Sequence, residues 1–375
     1  VAFSEQIKKY SWAEVQLQLY AKTALDVEQA LAQKNRTWQD FLALLSPAAE
    51  PYLEAMAKQS HALTLQNFGR CMHVYVPMYL SNKCANFCTY CGFSIKNKIK
   101  RLSLTPGQIL TEAEFLLEQG HQQLLLVTGE TSKIGVAYIE QAIELLSPLF
   151  SSIAIETQAF ELCDYQRLRN KGLHAVTLYQ ETYNLGSYQQ YHLRGNKADY
   201  WRRLDSHDKT GAAGVHKLGL GVLLGLDDWR VDSAFTYLHL KYLENRYWRS
   251  RFSISFPRLR NAEGYVADHE ISDKQLVQLL CAYRLCNPFV ELNLSTRESA
   301  NFRKNVAPLG VTHMSAGART SPGAYSDTGA LEQFEICDQR PTEEVAASLR
   351  QAGFDVVFKD WYGHKPSIQS GINLY

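Results

Sequence analysis

Long apolar runs are missing from this chain of 375 residues, and no stretch approaches the roughly 18 apolar residues of a membrane span. A strong charge of either sign is missing too. The formal net charge is +1, so no overall field draws the chain to nucleic acid or to an anionic membrane. There is no internal repeat and no low-complexity linker. The first residues, Val1 to Gln6, lack the basic start and apolar core of a secretion signal. The expected location is therefore the cytoplasm, where cysteines act as thiols or metal ligands more often than as disulfides.

Cysteine is scarce, with eight residues in the whole chain, yet three of them fall together as Cys84-Ala-Asn-Phe-Cys88-Thr-Tyr-Cys91. This C-x3-C-x2-C cluster follows an apolar, β-prone segment, Val74 to Leu80, and precedes Gly92, Phe93 and a basic run. The thiols thus sit on a loop leaving a strand, where a fold presents ligands to a shared cavity. The remaining cysteines, Cys71, Cys163, Cys281, Cys286 and Cys337, lack ligand spacing. Cys281 and Cys286 lie in an apolar helix and read as core.

The rest of the composition is ordinary, 46% hydrophobic and 21% charged, enough for one large barrel with extensions or for two domains. Residues 1–70 read as a helical N-terminal extension. From residue 71 to 330 short apolar strands alternate with helical periods. Strands are expected at His73–Leu80, Gln123–Thr128, Ile153–Thr157, Ala175–Gln180, Lys217–Leu224, Phe252–Phe256, Val290–Leu294 and Val311–Met314. Between them Thr105-Pro106-Gly107-Gln108 and Ser272-x-x-Gln275 are capping boxes that start helices, and Asp199–Ala213 reads as one helix. Eight βα units indicate a parallel sheet closed as a (β/α)8 TIM-type barrel, with a doubly wound open sheet as the alternative. Residues 331–375 form a C-terminal extension, with a helix at Glu343–Gln351 and a strand at Asp355–Phe358, expected to pack over one end of the barrel.

Two kinds of metal suit the clustered thiols. Structural zinc takes four protein ligands, often in paired C-x2-C units, and no second pair follows here. Closely spaced thiolates also hold iron–sulfur clusters, and three of them leave one iron of a four-iron cubane without a protein ligand. A non-catalytic metal scaffold or redox sensor is the reading outside enzymology.

The motif after the first strand resembles the radical S-adenosylmethionine (SAM) superfamily, and Tyr90 fits that family's aromatic position. The resemblance implies one 4Fe-4S cluster on Cys84, Cys88 and Cys91, with SAM chelated to the open iron. Reduction then cleaves SAM to methionine and a 5′-deoxyadenosyl radical. It also implies roles for residues at strand ends. Thr128-Gly129-Glu130 is similar to the family's Gly-Gly-Glu element, with threonine in place of the first glycine, and aims Glu130 at the SAM amino group. Glu156 and Glu181 are candidates for the ribose hydroxyls or the amino group. Lys197 and Arg203 are candidates for the SAM carboxylate. Gly221, in Gly219 to Gly225, would let backbone approach the adenine.

The similarity extends along the chain. Tyr79 to Phe93, Leu125 to Glu130, Tyr179 to Tyr183, Ser255 to Arg260 and Leu294 to Glu298 resemble the aromatic amino acid lyase branch, nearest to the 2-iminoacetate synthase family of thiamine biosynthesis. That family is a carbon–carbon lyase that splits the Cα–Cβ bond of L-tyrosine into 2-iminoacetate (dehydroglycine) and p-cresol. By resemblance Arg297 holds the substrate carboxylate, Ser315 is its hydroxyl partner, and Tyr90 and Phe93 wall the cavity. A guanidinium suits the task because its fork fixes a carboxylate's orientation. The alternative for Arg297 is an ion pair with Glu298. A thiazole synthase that consumes the imine and a flavodoxin- or ferredoxin-type reductant are the implied partners. The basic run Lys96, Lys98, Lys100 and Arg101 reads as a solvated surface that steers such an acidic reductant. Tryptophan lyases stay open as a related reading. The hydrogenase-maturing tyrosine lyases use a second, C-terminal cluster, and after residue 291 this chain has only Cys337.

Overall fold

The computed structural model describes residues 2–267, 271–326 and 330–359. Eight parallel strands close into a barrel: β1 (Cys71–Ser81), β2 (Gln123–Thr128), β3 (Ser152–Glu156), β4 (Ala175–Thr177), β5 (Lys217–Gly221), β6 (Arg251–Ser255), β7 (Glu291–Leu294) and β8 (His313–Ser315). Closure is made by β8 on β1, with His73 opposite His313, Val74 opposite Met314 and Tyr75 opposite Ser315. The open-sheet alternative is thereby excluded.

Alternation along β1 shows how sequence becomes a two-faced wall. Val74, Val76, Met78 and Leu80 are fully buried against the helix layer. Tyr75, Pro77 and Tyr79 face the barrel interior and line a cavity there. The period of two puts every second residue inward. The helices begin where their caps say. Thr105 and Gln108 close a reciprocal capping box, as do Ser272 and Gln275, each worth about 1 kcal/mol.

The N-terminal helices do not form a core of their own. Phe41 stacks on Tyr237 at 4.0 Å and Trp12 on Phe235 at 5.5 Å, so this layer shares its apolar cluster with the second half of the barrel.

Three expectations change. The helix expected over 199–213 is two, Tyr200–Leu204 and Ser206–Ala212, broken at Asp205. Its carboxylate instead accepts from the Ser4 amide at 2.9 Å and the Ser4 hydroxyl at 2.7 Å, tying the N-terminal segment to the barrel. Arg101 is not a solvated charge. Its guanidinium donates to the carbonyls of Asn82, Phe93, Ser94 and Asn97, stapling the cysteine loop at both ends. The C-terminal extension reaches both ends of the barrel. Its strand β9 (Asp355–Val357) pairs with the start of β1, while Gln333 and Phe334 enter the opposite mouth. Residues 360–375 of that extension lie outside the described residues.

Candidate active site

The C-terminal ends of the strands open on a cavity enclosing about 960 Å³ of empty space, its open mouth included. Cys84, Cys88 and Cys91 line it, together with Glu130, Glu156, Glu181, Lys197, Arg203 and Arg297. A second cavity of about 610 Å³ continues inward and shares Glu156, Tyr179, Arg297 and Phe334 with the first. Ser315, Tyr75 and Tyr79 line this inner part. Eleven of the twelve sequence-derived site residues therefore meet in one continuous space.

Gly221 is the exception. A Cβ there would lie 2.8 Å from the Tyr179 ring and 2.8 Å from the Ser255 carbonyl. The glycine makes room for the Tyr179 ring beside the strand.

The cysteine loop is built by local contacts. Phe87–Cys88 pairs antiparallel with His192–Arg194. Gly129 is required because a Cβ would stand 2.4 Å from the Lys83 carbonyl, so only glycine lets the end of β2 pass under the loop. Burial pushes the Cys88 thiol up to about 12 and raises that of Cys91, so ligation must displace protons. Among the described residues no three His, Cys, Asp or Glu side chains converge on a single-ion site. The three thiols line the same cavity, and closely spaced thiolates are the ligands of iron–sulfur clusters.

The acids sit in three different environments. Glu130 accepts from the Asn86 carboxamide at 2.8 Å, and the same amide's oxygen accepts from the Lys197 backbone at 3.1 Å. Asn86 was missed by the sequence reading, although it lies between Cys84 and Cys88. Burial would raise Glu181, but Lys197 at 2.6 Å and Arg203 at 3.1 Å outweigh it and hold the carboxyl below its usual value. The triad carries a net positive charge toward the cavity. Glu156 is pushed up, first by burial and then by Glu181, with Arg297 opposing.

Tyr90 is committed through its hydroxyl. The His192 Nδ1 contacts the Tyr188 carbonyl at 2.8 Å, which makes it the donor and leaves Nε2 to accept from Tyr90, also at 2.8 Å. Burial, and then Lys197, lower His192 to about 3 and keep it neutral. The Tyr90 ring is left as a wall, with the Lys197 ammonium 5.6 Å from its centre.

Arg297 has no carboxylate partner among the described residues. The expected alternative partner, Glu298, is taken by Arg258 and by Arg260 at 3.2 Å. The Arg297 guanidinium instead lies on the Phe334 ring, 3.4 Å from its centre. Ser315 Oγ accepts from the Thr296 amide at 3.1 Å and also hydrogen-bonds with the Tyr75 phenol. Gln333 and Phe334 were invisible in the sequence, since no motif marks them.

Comparison with known proteins adds an independent line. The Radical SAM superfamily pattern matches residues 78–238, and that of the Biotin and Thiamin Synthesis associated domain matches 255–355. The chain is 47% identical over 363 residues to 2-iminoacetate synthase of Escherichia coli (strain K12), covering 96% of both chains. It is 45% identical, with the same coverage, to 2-iminoacetate synthase of Salmonella typhimurium (strain LT2). Among solved structures it is similar to HydG, a maturase of the FeFe-hydrogenase, at 29% identity with a TM-score of 0.87, covering 92% of this chain and 80% of that one.

Proposed function

The chain belongs to the 2-iminoacetate synthase family within the radical SAM superfamily, and from that membership we infer a carbon–carbon lyase that cleaves L-tyrosine to 2-iminoacetate and p-cresol. The observation that carries the substrate reading is Arg297, a guanidinium without a carboxylate partner among the described residues, facing the cavity that the three cysteines line. An unpaired cation held in a pocket is a place for an anion from outside.

In this reading Cys84, Cys88 and Cys91 would hold a 4Fe-4S cluster, with SAM bound beside it in the same cavity. Bound there, the pair supplies a 5′-deoxyadenosyl radical as hydrogen-abstracting agent. The chain's own groups do the positioning. Lys197 and Arg203 leave positive charge after neutralising Glu181, which suits the SAM carboxylate. Glu130, oriented by Asn86, suits its amino group. Glu156, half-buried where the two cavities join, suits a hydroxyl or ammonium donor. Arg297 grips the tyrosine carboxylate by its fork, and the Ser315 hydroxyl donates to the same group. Tyr75, Tyr79 and Tyr179 stay protonated, because burial raises each phenol, so they act as neutral walls that keep water from the reacting atoms. The barrel of residues 71–330 carries all of these groups; residues 1–70 and 331–375 extend it.

The product imine is hydrolytically labile, which favours direct transfer to a thiazole synthase. The exposed Lys96, Lys98 and Lys100 beside the cysteine loop suit an acidic flavodoxin- or ferredoxin-type reductant. The setting we infer is the cytoplasm, where clustered cysteines serve as metal ligands more often than as disulfides. Among the described residues no helix is long and apolar enough to cross a membrane.

The test is an anaerobic assay of the reconstituted chain with SAM, tyrosine and a reductant. Release of p-cresol and 5′-deoxyadenosine in step is the expected result. Turnover with tryptophan giving 3-methyl-2-indolic acid, and none with tyrosine, would reassign the substrate.

A further inference from the structure

One side chain from the C-terminal extension reaches the cysteine loop, and the fold makes several local provisions for it. Gly92, next to Cys91, donates its amide to the Gln333 carbonyl at 3.2 Å. A Cβ at Gly92 would stand 2.5 Å from that same oxygen, so glycine is required for the approach. The Gln333 amide in turn donates to the Thr320 carbonyl at 2.9 Å, which fixes the backbone on its other side.

The carboxamide of Gln333 lies between two groups. The Tyr79 hydroxyl donates to Oε1 at 2.7 Å, and Nε2 lies 3.8 Å from Cys91 Sγ. A phenol hydroxyl carries a proton to give, and the carboxamide oxygen opposite it can only accept. A donor at Tyr79 demands the carbonyl end of the amide, which leaves the N–H end for the sulfur. The orientation of Gln333 is thus set by chemistry on both sides. Tyr79 is in turn pinned edge-on by Phe93 at 6.0 Å.

We propose that Gln333 is a positioning residue for the iron–sulfur cluster: its amide donates to Cys91 Sγ, orients that ligand and raises the reduction potential of the cluster, with Tyr79 fixing the direction of the amide. The proposal rests on the reading of Cys91 as a cluster ligand. Its physical basis is general. A hydrogen bond to a ligating sulfur stabilises the reduced, more negative cluster over the oxidised one. The cluster of this chain must take an electron before any chemistry starts, so a donor at the sulfur bears directly on that step.

The test is a reductive titration of the anaerobically reconstituted full chain, followed by electron paramagnetic resonance, with iron and sulfide counted. Gln333→Met keeps the volume and removes the donor, and its potential is expected to fall below wild type at equal iron content. Gln333→Glu removes the donor and adds charge, and is expected to fall further. Tyr79→Phe keeps the ring and frees the amide to turn, so a smaller fall in the same direction is expected. If Gln333→Met holds no cluster, Tyr79→Phe decides. Unshifted potentials in cluster-bearing variants would overturn the role of Gln333 alone. A wild-type chain that takes up no cluster would overturn the cofactor reading, and the proposal with it.

Discussion

Lys197 Nζ lies 2.6 Å from Glu181 Oε1, and Glu181 holds this position from a left-handed backbone, with φ 72°. Among the described residues it is the one non-glycine with positive φ. Such a conformation costs on the order of 1 kcal/mol and persists only where the surroundings impose it. Here Lys197 and Arg203 hold its carboxylate from two sides, four residues beyond β4 where the cavity begins. Strain, burial and two cations on one carboxylate are consistent with the cofactor-side role proposed for Glu181.

Replacing Glu181 by Gln leaves the buried Arg203 and the half-buried Lys197 facing each other. A loss of about 3–5 kcal/mol in stability is expected from an unpaired buried charge, together with weaker SAM binding. The pH dependence has a definite sign. The folded carboxyl titrates below its unfolded value of about 4.3, so its contribution is present above that pH and is lost as pH falls through the folded value. Acid denaturation followed by circular dichroism should therefore be less steep below about pH 4 in the variant than in the wild type.

Arg297→Lys keeps the charge and removes the fork. Losing one charged hydrogen bond costs about 1.5–3 kcal/mol, so tyrosine binding should weaken roughly 10–100-fold. Arg297→Ala should abolish tyrosine-dependent SAM cleavage with iron content intact. Calorimetric titration and 5′-deoxyadenosine release measure the two effects. An unchanged tyrosine affinity in the alanine variant would remove Arg297 from the site.

Phe334→Ala takes away the ring on which the Arg297 guanidinium rests. A cation–π contact of this kind is worth about 1 kcal/mol, so tyrosine affinity should drop roughly 5-fold while SAM affinity holds. Equal losses for both ligands would instead indicate collapse of the cavity.

Gly129→Ala places a methyl group 2.4 Å from the Lys83 carbonyl, one residue before Cys84. The loop must shift, and iron bound per chain should fall. Gly107→Ala is the matched control, because nothing lies within 4 Å of its Cβ position. It should keep full iron content.

Reduction by an acidic flavodoxin should slow as ionic strength rises, and Lys98→Glu with Lys100→Glu should reproduce that slowing at low salt. A rate indifferent to both would place the reductant elsewhere.

Much of this protein is legible in its sequence because the signals are local. Alternating and continuous apolar runs define the eight strands, and capping boxes at Thr105 and Ser272 start two helices where expected. The C-x3-C-x2-C spacing is itself short-range. So is the position of Glu130, Glu156 and Glu181 at strand ends, since a barrel presents those ends on one face. Partner choice is not local. Glu298 follows Arg297 directly but pairs with Arg258 and Arg260, because adjacent residues diverge after the strand. Gly221 reads as backbone clearance for adenine, and only packing shows the Tyr179 ring lying against it. Asp205 breaks an apparent helix because the Ser4 amide and hydroxyl bind its carboxylate. Gln333 and Cys91 are 242 residues apart, and no pattern in the chain links them. Sequence period is set by each residue's immediate neighbours; side-chain partnership is set by closure of the barrel, which brings distant segments to one mouth.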